Sequence, residues 1–132
     1  MSIAENPPIV TASPVYTRLT EARKAEIVEQ LGAIVGARYV LHSAYDLMMY
    51  EYDASIERGK PDIVVLPSST EEIAEIVKLA QRYQLPVVPR GAGTGLSGGA
   101  VPIHGGIVLV FARMNRILEV DYANQSATIQ PG

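Results

Sequence analysis

The residues best suited to chemistry form one run in the second half of the chain. Arg90 to Gly99 reads Arg-Gly-Ala-Gly-Thr-Gly-Leu-Ser-Gly-Gly and holds five of the chain's 11 glycines. Glycine permits positive φ and lets a ligand approach the backbone, and successive N–H groups on such a loop form a concave site for an anion. Arg90 adds a fork of donors suited to phosphate, and Thr94 and Ser97 add hydroxyls. The run therefore predicts a cradle for a phosphate or pyrophosphate.

Three other interpretations fit the run less well. A flexible Gly/Ser linker would not lie between two apolar segments or contain Leu96. A P-loop needs Gly-Lys-Ser/Thr, and the run has no lysine. Gly93-x-Gly95-x-x-Gly98 matches the Rossmann fingerprint nominally, but that motif must open a helix, whereas Pro102 and two further glycines follow here. The spacing thus favours a different dinucleotide fold.

The elements before the loop predict a βαβ unit. Ile63–Leu66 is an apolar run typical of a strand buried on both faces. Ser69 with Glu72 forms a capping box, and Gln84–Pro86 stops the helix before Val87–Val88 begins the next strand. Such a unit has parallel strands and a right-handed crossover. The predicted apolar face of the helix consists of Ile73, Ile76, Val77, Ala80 and Tyr83.

A strand and a hairpin are predicted after the loop. Ile107–Phe111 is again a buried strand, and Ser126–Gln130 is the returning strand of a hairpin. The first strand of the hairpin is predicted to be half-exposed, with apolar residues at Leu118, Val120 and Tyr122. Pro131-Gly132 normally marks a turn between two elements, so the sequence predicts a fold that continues past the hairpin.

The first third of the chain predicts an arm and two helices. Residues 1 to 19 read as an extended arm interrupted by prolines. A helix is predicted from a Thr20 cap to a Gly36 stop, and a shorter one from Ser43, whose Met48 and Met49 are predicted to be core. The apolar stripe of the first helix comprises Ile27, Val28, Leu31, Ile34 and Val35.

Composition excludes several classes of protein. Hydrophobic residues make up 48% and charged residues 19% of 132 residues, as in a folded globular domain. A net charge of −3 argues against a nucleic-acid partner. The chain has no cysteine, which excludes disulfides, cysteine-based metal sites and thiol nucleophiles. Without a signal-peptide pattern or an apolar run of about 18 residues, the default location is cytoplasmic.

Three segments, in this order and spacing, carry a resemblance to a known family: Pro61–Pro67, Pro86–Gly99 and Ile129–Gly132. They resemble the start of the FAD-binding domain of FAD-linked oxidases of the vanillyl-alcohol oxidase / p-cresol methylhydroxylase (PCMH) type, and within it glycolate oxidase FAD-binding subunits and D-lactate dehydrogenases. Tyr52–Ser55 resembles the segment that precedes this domain, so the likeness extends from about Tyr50 to the last residue.

The resemblance implies an α+β fold. The chain would be the first subdomain of a PCMH-type FAD-binding domain, a βαβ unit followed by the glycine-rich loop, a strand and a hairpin, and truncated. We expect an N-terminal arm and helices over residues 1–57 and an incomplete FAD-binding domain over residues 58–132.

The resemblance also implies which residues bind FAD. Carried over position by position, they are Arg90, Gly91, Ala92, Gly93, Thr94, Gly95, Leu96, Ser97, Gly98, Pro131 and Gly132. Some members hold FAD covalently through a histidine of this loop. Thr94 occupies that position here, so non-covalent FAD is expected.

The activity implied by the resemblance is oxidation of a 2-hydroxy acid such as glycolate or D-lactate. The Cα hydrogen passes as hydride to flavin N5, and a base takes the hydroxyl proton. The family's base lies in a later part of the protein, so no catalytic residue is assigned here, no metal is implied, and the chain alone is expected to be inactive. Expected partners are FAD, the substrate through a further domain, and other subunits or a second copy at exposed edges. The location is cytoplasmic, and peripheral contact of the full enzyme with a membrane stays open.

Other polar residues have structural interpretations. His42 and His104 are expected at the surface, since nothing in the sequence places either as a base. Asp53 and Ser55 could approach the flavin or serve as turn residues, and both interpretations stay open. Three glutamates are expected to form a solvated helix face without an acid–base role: Glu71, Glu72 and Glu75.

Two alternative functions also stay open. The chain could be a stand-alone module that binds a nucleotide or another anion without redox chemistry. It could also be an inactive assembly fragment, whose last strands expose an apolar face.

Overall fold

Two sheets and three helices make up the part of the chain that the computed structural model describes, residues 19–132. The helices are α1 (Glu21–Val35), α2 (Ala44–Leu47) and α3 (Thr70–Arg82), and 3₁₀ turns follow the first two at Ala37–Tyr39 and Met48–Tyr50. The strands are β1 (Val40–Leu41), β2 (Ile63–Val65), β3 (Val87–Arg90), β4 (Ile107–Val110), β5 (Ile117–Asp121) and β6 (Ser126–Ile129). The N-terminal arm predicted from the sequence lies outside the described residues, except for Leu19, which packs against the core.

The larger sheet has the strand order β1-β2-β4-β3. Strands β2, β4 and β3 run parallel, while β1 pairs antiparallel with β2. The predicted pair of parallel strands joined by a helix is confirmed, but β4 lies between them, so β2 and β3 are not neighbours. Residues 91–106 connect β3 to the adjacent parallel β4, a crossover that a helix usually makes.

Alternate residues of the parallel strands face two different cores. One face, with Ile63 and Ile107, packs against α1 and α3 through Ile27, Leu31, Ile76 and Leu79. The other face packs Val64, Val108 and Val110 against Leu47 of α2. The apolar stripe predicted for α1 is confirmed, since Ile27, Leu31 and Val35 are buried and Val28 and Ile34 pack against the core.

The predicted helix caps are present, with one shift. Ser69 Oγ accepts a hydrogen bond from the Glu72 N–H at 3.2 Å, as expected for α3. The Glu72 carboxylate, however, accepts from the N–H of Ser68 at 2.6 Å, one residue before the cap. Thr20 caps α1, and Gly36 ends it at a φ of 90°.

Three apolar side chains that the sequence predicts to be buried are exposed in the structure. Met48 and Met49 are 59% and 64% exposed, so their assignment to the core was wrong. They follow a single helical turn, and Leu47 is the buried residue of this segment. Val77 of α3 is also exposed, because it lies about 100° around the helix from the buried Ile76. Leu79 is buried instead.

The hairpin β5–β6 forms as predicted, but its exposure differs from the expectation. The strands pair antiparallel, with an irregularity between Ile117 and Glu119 that removes Leu118 from the ladder. Instead of being half-buried, every residue of β6 and all of β5 except Asp121 are exposed. The ribbon is a separate two-stranded sheet, so it presents apolar side chains at Ile117, Leu118, Val120, Tyr122 and Ile129.

No helix within residues 19–132 has the length and apolar character that crossing a membrane requires.

Candidate functional site

The glycine-rich loop begins at the carboxyl end of the parallel strands. Strand β3 ends at Arg90, whose carbonyl accepts a hydrogen bond from the Phe111 N–H at 3.0 Å, just after β4 ends. In open sheets with parallel strands, ligands bind outside the carboxyl ends. The fold thus places the predicted binding loop at the edge where a ligand is expected.

The outer side of the loop is open to a ligand. Gly93 and Gly98 have φ values of 74° and 72°, a backbone conformation that side chains disfavour. A Cβ atom added to Gly95 would meet no protein atom within 4 Å. Leu96 is 79% exposed, and the loop becomes buried again at Val101. The residues of the glycine-rich run that are exposed to solvent are Ala92, Thr94, Gly95, Leu96, Ser97 and Gly99.

Pro131 and Gly132 come to lie beside the start of the loop. A Cβ atom on Gly91 would be 3.3 Å from the carbonyl oxygen of Pro131. Gly132 donates its N–H to the Met114 carbonyl at 2.8 Å, and a side chain there would overlap the carbonyl of Phe111. The structure therefore brings together two predicted parts of the binding site that are separated by more than 30 residues of sequence.

The side chain of Arg90, which is partly buried, contacts other residues of the protein. Nη1 donates to the carbonyl oxygen of Tyr52 at 2.8 Å, and the guanidinium lies 5.7 Å from the ring centroid of Tyr50. A Cβ atom on Gly93 would overlap Nη2. At least one N–H donor of the Arg90 guanidinium therefore binds the protein itself and not a phosphate. Contact of Arg90 with a ligand stays a prediction.

Asp53 and Ser55 form a turn that lies next to the loop. Asp53 is 7% exposed, and its Oδ1 accepts from the Ser55 N–H at 2.8 Å. Ser55 Oγ accepts from the N–H of Glu57 at 3.2 Å. A Cβ atom on Gly98 would lie 3.6 Å from Ser55 Oγ. The structure fits the interpretation of Asp53 and Ser55 as turn residues. Their contact with the loop was not predicted, because no sequence pattern indicates it.

The surroundings of Asp53 favour its ionised form. The Ser55 hydroxyl and N–H, the N–H of Ala100 and the positive charge of Arg90 lower the pKa of Asp53, while burial acts in the opposite direction. A carboxyl group whose native pKa is lowered stabilises the fold above its unfolded pKa, which is about 3.9. This stabilisation is lost as the pH falls through the lower native pKa.

We therefore expect the stability difference between the wild-type chain and Asp53→Asn to depend on pH. The variant should be less stable than the wild type from about pH 5 upward, and the difference should disappear in stronger acid. Urea unfolding between pH 2.5 and 7 measures it. Asp121→Asn is a comparison of the same kind: the pKa of Asp121 is also lowered, by Asn124 in the hairpin turn, so its stability difference should vary with pH in the same direction. If the difference in unfolding free energy between the wild type and Asp53→Asn stayed constant over this pH range, it would contradict the lowered pKa of Asp53 in the folded chain.

The other titratable residues singled out in the sequence make none of the loop contacts described above. His42 and His104 are exposed. Glu71 and Glu75 are exposed on α3, and Glu75 accepts from Lys78 Nζ at 2.7 Å. Within residues 19–132, no three His, Asp or Glu side chains gather as a metal site requires. The arrangement offers backbone donors to an anion at an open loop.

Comparison with known proteins gives a family for most of this region. The family model described as "FAD binding domain" matches residues 61–132. The glycolate oxidase subunit GlcD of Bacillus subtilis is 42% identical over 108 residues, which are 81% of this chain and 23% of that protein. An uncharacterized FAD-linked oxidoreductase of Mycobacterium tuberculosis is 49% identical over 110 residues, 82% of this chain and 24% of that protein. D-lactate dehydrogenase of Anaerostipes hadrus is 45% identical over 75 residues, 57% of this chain and 16% of that protein.

Solved structures show the same fold. Substrate-bound p-cresol methylhydroxylase superposes with a TM-score of 0.76 at 23% identity, over 86% of this chain and 23% of that one. The 4-ethylphenol oxidase of Gulosibacter chungangensis gives 0.75 at 28% identity, with the same coverage. The first of these shows the fold alone. The chain spans about a quarter of the length of its relatives, and the predicted PCMH-type fold is confirmed over this part.

Proposed function

We propose that the glycine-rich loop of this chain binds the pyrophosphate of FAD. The chain belongs to the FAD binding domain family of FAD-linked oxidoreductases. FAD is the cofactor of this family. The residues proposed for the site are Arg90, Gly91, Ala92, Gly93, Thr94, Gly95, Leu96, Ser97, Gly98, Pro131 and Gly132. The observation that carries the proposal is the open backbone at Gly95 together with the approach of Pro131 to Gly91.

The residues of the loop fit a pyrophosphate group. Backbone N–H groups bind phosphate oxygens without a counter-ion. Glycine at position 95 keeps a side chain out of the open space beside the loop, and Gly93 and Gly98 supply the positive φ values that shape it. Thr94 and Ser97 add exposed hydroxyls. Bound FAD supplies the acceptor for a hydride from a substrate. The chain's own part is to bind and orient the cofactor, and Thr94 in place of a histidine supports non-covalent binding.

We further propose that the substrate of the whole protein is a small 2-hydroxy acid. The support is similarity to proteins named glycolate oxidase and D-lactate dehydrogenase. The residues that bind the substrate and take its proton are proposed to lie in a part of the protein that these 132 residues do not include. In this proposal residues 1–57 support the binding segment, residues 58–132 form it, and the chain alone does not turn over substrate.

The test is a titration of the ¹⁵N-labelled chain with FAD, followed by amide NMR, which also detects weak binding. We expect the largest shifts at the amides of Gly91–Ser97 and at Gly132, with α1 unaffected, and tighter binding of FAD than of ADP. Unshifted loop amides at millimolar FAD would overturn the proposal. ADP binding as tight as FAD binding would favour a plain nucleotide-binding module instead.

The exposed hairpin favours a second candidate, an assembly fragment. Ile117, Tyr122 and Ile129 are 64% or more exposed, and apolar patches of this kind mark interaction surfaces. Analytical ultracentrifugation separates the cases. Self-association that Ile117→Lys and Ile129→Lys abolish supports assembly through this face, whereas a monomer at all concentrations excludes it for the isolated chain.

A further inference from the structure

The residues just before the matched family region form a closed turn beneath the glycine loop. Gly59 donates its N–H to the carbonyl of Glu51 at 2.8 Å, and Tyr52 pairs with Arg58 across an isolated antiparallel bridge. The Arg58 guanidinium lies 5.1 Å from the ring centroid of Tyr52. We call this turn, Tyr50–Gly59, the brace.

The first contact between brace and loop is made through Arg90. Its Nη1 binds the Tyr52 carbonyl at 2.8 Å, and the backbone of Gly93 lies directly against the same guanidinium. Gly93 has a φ of 74°, and a Cβ atom there would overlap Nη2. The planar group thus fills the space between the brace and the first half of the loop.

The second contact lies under the other half of the loop. Gly98 has a φ of 72°, and a Cβ atom on it would lie 3.5 Å from Glu57 Cγ and 3.6 Å from Ser55 Oγ. Asp53 is buried and accepts from the Ser55 N–H through Oδ1, while its Oδ2 has no hydrogen-bond partner among the described residues. The positive charge of Arg90 and the N–H of Ala100 both act on this carboxylate.

The last contact fixes the loop where it becomes buried. A side chain on Gly59 would overlap the carbonyl oxygen of Pro102, so the two backbones are in direct contact. Pro102 is fully buried. The brace therefore touches the loop near its start, its middle and its end.

We propose that the brace sets the shape of the FAD-binding loop, with Arg90 and Asp53 as positioning residues that act through Gly93 and through Gly98–Ala100. The proposal rests on the proposed FAD function of the loop. It assigns a function to residues 50–59, which lie before the family match at 61–132, and it makes the main role of Arg90 a contact with Tyr52 and Gly93. Because the brace holds the N–H groups of the loop in place before FAD binds, binding does not require the loop to become ordered.

The test compares Arg90→Gln, Arg90→Lys and Asp53→Asn in the 132-residue chain. In the ligand-free chain, we expect faster amide hydrogen exchange around Gly93 for the Arg90 variants and around Gly98 for Asp53→Asn. FAD affinity should fall by about 10-fold or more for both Arg90 variants, the effect of losing one good hydrogen bond with its packing. Lysine keeps the charge but not the planar fork, so it should not restore affinity.

Arg113→Gln is the matched control. Arg113 is also partly buried, donates to a backbone carbonyl, that of Leu66, at 2.7 Å, and lies over the ring of Tyr39. It makes none of the contacts of the brace, so its loss should lower stability while hydrogen exchange at Gly93 and Gly98 stays unchanged.

The outcomes separate the two proposals. If the ligand-free loop is unchanged in the Arg90 variants, the brace is overturned, whether or not FAD affinity falls. If Arg90→Lys binds FAD as the wild type does, Arg90 acts by charge and its positioning role is overturned. If the wild-type chain binds no FAD while the Arg90 variants still loosen the loop, the FAD function fails and the brace stands.

Discussion

Gly95→Val should weaken FAD binding by about 10- to 100-fold without lowering the stability of the chain. A Cβ atom at this position meets no protein atom within 4 Å, and its backbone needs no positive φ. The valine methyl groups would therefore occupy the space in which a ligand approaches the loop and not space filled by the protein. Displacing a phosphate from one backbone donor costs about 1.5–3 kcal/mol, since the hydrogen bond involves a charged group, and about 1.4 kcal/mol corresponds to a tenfold change in affinity.

Affinity for FAD, measured by amide NMR or fluorescence titration, and the midpoint of thermal unfolding are the two measurements. Gly99→Val is the comparison, because Gly99 also has open space around its Cβ position but lies just outside the proposed contacts. We expect a smaller loss there. Unchanged affinity in Gly95→Val would show that the loop does not bind the pyrophosphate. Gly93→Val is a poorer test, because its φ of 74° and its contact with Arg90 would disturb the loop itself.

Gly106→Ala should destabilise the chain strongly, although it adds only one methyl group. Gly106 has a φ of 81°, and a Cβ atom would overlap the carbonyl oxygen of Pro86. That oxygen already accepts the Ile107 N–H at 2.8 Å, and Gly106 donates to Asp62 Oδ2 at 2.6 Å. The residue thus joins the starts of β2, β3 and β4. A strained backbone and an overpacked contact cost about 1–3 kcal/mol each, so we expect a loss of about 3 kcal/mol or more.

The free energy of unfolding in urea measures this effect. Gly99→Ala is the control, since it adds the same methyl group in open space and should change stability by less than about 0.5 kcal/mol. If the two variants were equally stable, the close packing of Gly106 against Pro86 would be wrong.

The sequence predicted those elements whose signals are local. Ser69 and Glu72 mark the start of α3, Gly36 marks the end of α1, and the apolar runs mark β2 and β4 within a residue or two. Each of these signals depends on a hydrogen bond or a burial pattern within a few residues, so the element can be predicted from its own segment alone.

What the sequence missed depends on distant partners. The place of β4 between β2 and β3 is set by pairing over more than 40 residues of sequence, and β1 has only two residues. Met48 is exposed because Leu47 of α2 packs against the sheet, whereas Met48 begins the 3₁₀ turn that follows. In the site, the glycine spacing identified the loop, whereas the Arg90 contact to Tyr52 uses a backbone carbonyl that any residue would supply.

The central position of β4 has a consequence for how the chain folds as it is synthesised. Within the larger sheet β3 pairs with β4 alone, and β4 also fills the open edge of β2. On the ribosome, Arg90 emerges about 1–4 s before Val110 at ordinary rates of translation. During this interval both strands carry unpaired edges, which are templates for aggregation. We therefore expect the sheet to close last at its centre, and the glycine-rich loop between Arg90 and Ile107 to take its final path in the same step that completes the core.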